Sequence, residues 1–159
     1  MTSLTANNNY FEDFTKGLVI KHARGKTVEV TENVLITNMV MNSADAHFNK
    51  DKMMRTAFKR RLSYGGVNMS VVLGLAAQDT GENAIAEIGM DAIRFTTPVF
   101  HGDTLYAYSE VLDTKNSDRD DAGIVVFRHW GINQNDEVVF QGDRTTLMRR
   151  RPTSRGVDT

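Results

Sequence analysis

The hydrophobic and polar positions of this chain fall into two regimes, divided by one long apolar run. From Val67 to Ala77 there is no charged side chain, and only Asn68 and Ser70 are polar. Apolar residues lie around the whole circumference of that run, which is the pattern of a helix buried on most sides. Its length and its Ala-Ala-Gln ending favour helix over a short buried strand. A helix is therefore predicted within Leu62 to Gly81, with Gly81 as its stop. Gly66, Ser70, Gly74 and Ala77 recur at helical spacing and form a ridge of small residues, predicted to pack against the sheet. At the other end, Gly65 and Gly66 leave backbone N–H groups uncovered by any Cβ. A helix start of that kind suits a carbonyl oxygen or an anion. The same glycines also read as a loose approach to a core helix, and the pattern alone leaves both readings open.

Before the run the pattern is mostly helical. Met1 to Asn9 is polar and predicts a disordered lead-in with no secretory signal. Tyr10-Phe11-Glu12-Asp13-Phe14 places three aromatics against a neighbouring surface. Leu18 to Val30 is strand-like, broken by Arg24-Gly25-Lys26. Thr31 is the expected N-cap of a helix with Glu32 in its first turn, and Val34, Leu35, Met39 and Met41 are its expected buried side. Asn42 to His47 reads as a loop, Asp51 to Phe58 as a short helix, and Lys59-Arg60-Arg61 as a charged approach to the long one.

After Gly81 the period changes to two. In Ala84 to Phe100, Ile88 and Met90 share one parity and Ile93 and Phe95 the other, so a bulge is predicted near Asp91 or Ala92. Pro98 places the end of this strand at an edge or a bend. His101-Gly102-Asp103 is turn chemistry. Strands follow at Thr104 to Leu112, Gly123 to Ile132 and Glu137 to Met148, with a hairpin at Asn133 to Asp136 and a polar, mobile loop at Thr114 to Ala122. One apolar helix followed by sequential antiparallel strands needs a curved sheet wrapped around it. The expected class is α+β, a single hotdog fold over residues 10–150 with a flexible tail at 151–159. Exposed sheet edges predict a homodimer or a higher homo-oligomer.

Composition narrows the function. The chain has 159 residues, 40% hydrophobic and 25% charged, with a net charge of −1, which gives no global drive toward nucleic acid or anionic membrane. No cysteine is present, so disulfides, thiolate metal sites and a cysteine nucleophile are excluded, and a cytoplasmic location is expected. His22, His47, His101 and His129 are too scattered for metal-ligand spacing, and no nucleotide-type glycine loop occurs. No cofactor and no metal are expected. His47 stands apart because Asn42, Ser43 and Asp45 crowd the same irregular stretch, where a neutral imidazole can take a proton from water.

These residues resemble the MaoC-like (R)-specific enoyl-CoA hydratases, hotdog proteins that add water to a trans-2-enoyl thioester. The resemblance is carried by Tyr10 to Phe14, by Gly65 and Gly74, and by Phe95-x-x-Pro98-Val99-x-x-Gly102-Asp103-Thr104-Leu105. That family has an Asp-x-Asn-Pro-x-His loop before its central helix, matched here by Asn42 to His47. The resemblance implies that His47 is the general base and that the N–H of Gly65, or less well Gly66, holds the thioester oxygen. It implies no cofactor beyond the CoA of the substrate. The family's aspartate is Asn42, and its Asn and Pro are Ala44 and Asp45. Three readings stand, in this order: Asn42 orients the water while His47 carries both proton transfers; Asp45 replaces the lost carboxylate; or hydration is lost.

Met41-Asn42, His47-Phe48 and Gln78-Asp79-Thr80 look closest to the branch of mesaconyl-CoA hydratases, also called β-methylmalyl-CoA dehydratases, with itaconyl-CoA hydratase-like proteins near by. That likeness implies a short branched or dicarboxylic acyl-CoA. A dicarboxylic acyl group calls for a cation, with Arg55, Arg60, Arg61 and Arg94 as candidates. A hotdog thioesterase and a non-catalytic acyl-CoA-binding hotdog are the competing functions.

Overall fold

A computed structural model of the chain describes residues 9–152. The lead-in up to residue 8 and the tail from 153 lie outside the described residues. Asn9 and Arg151, expected at their loose borders, are anchored. Asn9 is buried and its side-chain amide donates to the Asp79 carbonyl at 2.7 Å. The Arg151 guanidinium forks onto both carboxylate oxygens of Asp13 at 2.7 Å.

The chain opens with a single 3-10 turn, Phe11–Asp13, and delivers Phe14 edge-on against Phe127 at a centroid distance of 5.0 Å. Strand β1 is Val19–Thr27, and its register slips between Lys21 and Gly25, where the polar Arg24-Gly25-Lys26 break was read. Helix α1 follows at Val30–Met39. Its N-cap is Glu29 rather than Thr31, and the Glu32 carboxylate accepts the Glu29 N–H at 2.9 Å. Two short helices, α2 at Asp45–Phe48 and α3 at Lys50–Met54, lead to the long helix α4 at Gly65–Thr80. The expected loop thus contains one helical turn that carries His47, and the second helix stops four residues short of Phe58.

Four strands complete the sheet: β2 at Ala84–Phe95, β3 at Thr104–Asn116, β4 at Ala122–Ile132 and β5 at Val138–Arg149. Its order is β1-β3-β4-β5-β2, antiparallel at every pairing. The predicted bulge is present as a register shift between Asp91 and Arg94, with Ala92 at φ +50°. Strand β3 runs on to Asn116, so the first part of the expected polar loop is paired to β4. Strand β2 lies at the edge, as Pro98 suggested, and leaves Ile88 and Phe95 half exposed.

Helix α4 lies across β3, β1 and β4. Its sheet side is Val67, Asn68, Val72, Ala76, Asp79 and Thr80, and Val67 and Val72 share a core with Val28, Leu105 and Phe140. The ridge of small residues was expected to face the sheet, and it does not. Ser70 and Gly74 are exposed, and a Cβ built on Gly74 meets nothing within 4 Å. The larger apolar side chains take the sheet face because the curved sheet needs filling there. Helix α1 corrects the expectation in the same way. Its buried residues are the polar Asn33 and Thr37, while Val34, Leu35, Met39 and Met41 face outward.

Candidate active site

The start of α4 forms one wall of a cleft of about 490 Å³. Phe95 and the segment Thr96 to Val99 form a second wall, Val139 of β5 contributes its floor, and His47 and Leu62 close the side. The backbones of Ala46 and Leu62 are tied by Leu62 N–H donating to the Ala46 carbonyl at 2.9 Å. The Leu62 carbonyl in turn lies 2.9 Å from Nδ1 of His47. A carbonyl only accepts, so the proton sits on Nδ1 and the lone pair on Nε2. His47 lines the cleft in the tautomer that a general base requires.

The opposite partner is the uncapped start of α4. Tyr64 is its N-cap, and the Tyr64 carbonyl accepts from both Val67 and Asn68, at 2.9 and 3.2 Å. The N–H groups of Gly65 and Gly66 have no acceptor among the described residues. They belong to the orphan donors at a helix start, where the helix dipole favours negative charge. A Cβ at 65 would lie 3.1 Å from the Phe95 ring, a tight contact that the half-exposed ring would have to ease.

Asn33 joins the two halves and was not singled out from the sequence. It is fully buried; its Oδ1 accepts the Tyr64 N–H at 2.8 Å, and its Nδ2 donates to the His47 carbonyl at 3.3 Å. One side chain of α1 thus fixes the residue before Gly65 and the residue that carries the base. A lone asparagine in a helical pattern carries no signal of such a bridge. Ser63 and Asn68 also line the cleft, and the Ser63 hydroxyl donates to Asn68 Oδ1 at 2.7 Å. The one polar side chain near the start of an otherwise apolar run was the available clue to Asn68.

The other candidates lie elsewhere. Asn42 lines a separate depression with Thr37, Met41 and Phe48, and its Oδ1 accepts the Ala44 N–H at 3.2 Å. Asp45 is turned outward and bonded to Lys52, and that hydrogen bond holds its carboxyl below the usual range. Arg55 pairs with Asp51 at 2.7 Å, Arg60 lies 3.6 Å over the Phe100 ring, Arg61 reaches toward the Phe48 carbonyl, and Arg94 bonds the Ile93 carbonyl at 2.8 Å. None of these four arginines lines the cleft, whose lining residues carry no fixed charge. Among the described residues no three His, Asp or Glu side chains converge as a metal site. No helix among them is long and apolar enough to cross a membrane.

A curved antiparallel sheet around one helix, with a cleft at the helix start that His47 lines, defines a hotdog protein. The sequence profile of mesaconyl-CoA hydratases matches residues 2–150, and the chain belongs to that family. The mesaconyl-CoA hydratase of Haloarcula marismortui is 30% identical over 165 aligned positions, covering 94% of this chain and 44% of its own length. A crystal structure of a putative MaoC domain dehydratase from Chloroflexus aurantiacus is 31% identical with a TM-score of 0.84, covering 91% of this chain and 46% of that one. A Mycobacterium tuberculosis protein described as a double hotdog superposes with a TM-score of 0.83 at 24% identity, covering 92% of this chain and 46% of that one, and shares the fold. The chain spans less than half the length of these relatives.

Proposed function

We propose that the chain is a hydro-lyase hotdog that adds water to a trans-2-enoyl-CoA and removes it in the reverse direction. The acyl group is short and branched or dicarboxylic, of the mesaconyl-CoA/β-methylmalyl-CoA or itaconyl-CoA type. The observation that carries this reading is the pairing, in one cleft, of a histidine whose proton is held on Nδ1 with the unpartnered N–H of Gly65 at the start of α4; Gly66 lies just outside the lining. Membership of the mesaconyl-CoA hydratase family supports the same chemistry.

In this reading the thioester oxygen takes the N–H of Gly65, with Gly66 as the secondary donor, and C3 becomes electrophilic. His47 Nε2 removes a proton from water as the water oxygen bonds to C3. The π pair moves onto the thioester oxygen as an enolate, which the helix start stabilises; one such donor contributes about 3 kcal/mol in other enzymes. The enolate then collapses as C2 takes the proton back from Nε2. With Asn42 and Asp45 both outside the cleft, His47 carries both transfers.

Incubation with mesaconyl-CoA and crotonyl-CoA tests the proposal. Loss of the conjugated enoyl absorbance without free thiol supports it. Release of free CoA points instead to a thioesterase. The lack of a carboxylate among the described lining residues favours one second reading, an acyl-CoA-binding hotdog, which predicts thermal stabilisation by acyl-CoA without turnover.

The second half of the assembly is proposed to be another copy of this chain. Strand β2 has an unpaired edge with Ile88 exposed, and a groove of about 750 Å³ lined by Leu73, Gly74, Ala77 and Ile88 runs beside it. The exposed small-residue face of α4 lets a partner approach closely, and the relatives are about twice as long. Sedimentation equilibrium at micromolar concentration distinguishes a dimer from the 17.8 kDa monomer, which would remove this part of the reading.

A further inference from the structure

We propose that the side-chain amide of Asn68 selects the acyl group, by donating a hydrogen bond to the distal carboxylate of a dicarboxylic acyl chain. This rests on the hydro-lyase reading and extends it to the side chain that reads the substrate. Asn68 is 5% exposed, on the sheet side of a helix whose other buried residues before Asp79 are Val67, Val72 and Ala76. A polar group there is disfavoured unless it is hydrogen-bonded.

Half of the requirement is met within the chain. Oδ1 of Asn68 accepts from the hydroxyl of Ser63, which is also 5% exposed and whose own N–H is held by the Val99 carbonyl at 2.8 Å. That bond fixes the plane of the amide. Nδ2 donates to no acceptor among the described residues, and Asn68 lines the cleft. The amide is therefore a pre-oriented donor open to the cleft.

The spacing fits a four-carbon trans acyl group. Gly65, where the thioester oxygen docks, and Asn68 are three residues apart, an axial rise of about 4.5 Å. A trans four-atom unit spans about 3.8 Å between its ends, as consecutive Cα atoms do. A trans enedioyl thioester seated on Gly65 thus brings its second carboxyl group toward Asn68. No arginine or lysine lines the cleft, against the cation expected from the sequence; the donors offered to the carboxylate are the neutral Asn68 and Thr97, beside the positive end of α4. A simple alkyl end gives the Asn68 amide no acceptor, and a site built around a donor rejects a ligand that lacks one.

The test compares kcat/KM for mesaconyl-CoA and crotonyl-CoA in the full chain and in Asn68→Leu and Asn68→Asp. The wild type is expected to favour mesaconyl-CoA. The mesaconyl-to-crotonyl ratio should fall at least about thirtyfold in Asn68→Leu, through KM for mesaconyl-CoA, and further in Asn68→Asp, where like charges meet. If Asn68→Leu does not fold, the near-isosteric Asn68→Asp decides alone. A ratio within about threefold of wild type in the folded variants overturns the proposal and leaves the hydro-lyase reading intact. A wild type that hydrates crotonyl-CoA and ignores mesaconyl-CoA does the same. Turnover of neither substrate overturns both.

Discussion

At the scale of the residue, the proposed chemistry turns on which nitrogen of His47 carries a proton, and the Leu62 carbonyl decides it. Removing the base while leaving the cleft intact should lower kcat for mesaconyl-CoA hydration by at least about a hundredfold in His47→Ala, with KM little changed. A loss under tenfold would mean that another group moves the proton. The sequence singled out His47 by its polar neighbours and Gly65 by its place at the head of an apolar run, and both line one cleft. Asn42 was placed by motif alignment alone, and the structure shows what holds it away from the cleft. Met41 adopts φ +57°, and the Asn42 N–H then donates to the Thr37 carbonyl at 2.8 Å, closing the end of α1. Such a cap uses Gly or Asn far more often than Met at its left-handed position, so the residue types carry no sign of it.

At the scale of the element, α1 shows how an apolar pattern misleads. Val34, Leu35 and Met39 made an apparent buried face, yet the buried face is Asn33 and Thr37. What α1 contributes to the site is two hydrogen bonds from Asn33, to Tyr64 at the head of α4 and to His47 on α2. Asn33 is therefore a positioning residue. In Asn33→Leu a partly buried backbone donor and a partly buried backbone acceptor lose their partner, and stability should fall by about 1–3 kcal/mol, read from urea midpoints. A role confined to stability would leave the folded fraction fully active. Positioning predicts that kcat falls at least about tenfold under conditions where the variant is fully folded, with a smaller change in KM. Helix α4 was legible over nearly its whole length because its apolar run is too long for a strand. The direction of its small-residue ridge was not, since that depends on which neighbour is larger.

At the scale of the molecule, three strands and α4 enclose a polar chain that the site does not use. Asp79 Oδ2 lies 2.6 Å from His22 Nδ1, His22 Nε2 lies 2.7 Å from Ser109 Oγ, and Ser109 Oγ lies 2.6 Å from His129 Nδ1. The chain has one consistent direction of donation when both imidazoles are neutral: His129 donates to Ser109, Ser109 to His22, and His22 to the Asp79 carboxylate. Burial pushes the His129 pKa down to about 3, with the charges of Arg144 and His22 acting the same way. Burial also lowers that of His22 against the opposing pull of Asp79.

The unfolded chain titrates these rings near pH 6.5, so below that value it binds protons that the folded chain refuses. Stability is therefore fully present above pH 6.5 and is lost as the pH falls toward 3, by about 1.4 kcal/mol per unit from His129. Urea midpoints should drop between pH 7.5 and 5.5, above the range in which carboxylates titrate. His129→Gln should flatten that slope, and a midpoint independent of pH over this window would refute the assignment.

The sequence by itself determined the long helix, the antiparallel strands with their bulge and turns, and the hotdog class. These follow from local preferences and hydrophobic period, which act between near neighbours in the chain. Only the tertiary structure decided that Asn33 spans 31 residues to hold Tyr64, and that Asn42 and Asp45 fall outside the cleft. It alone brought Asp79 to His22 across 57 residues, and it left the cleft wall without a cation. A buried polar group takes whichever partner the packed elements bring within hydrogen-bond reach, and that partner need have no fixed distance from it along the chain.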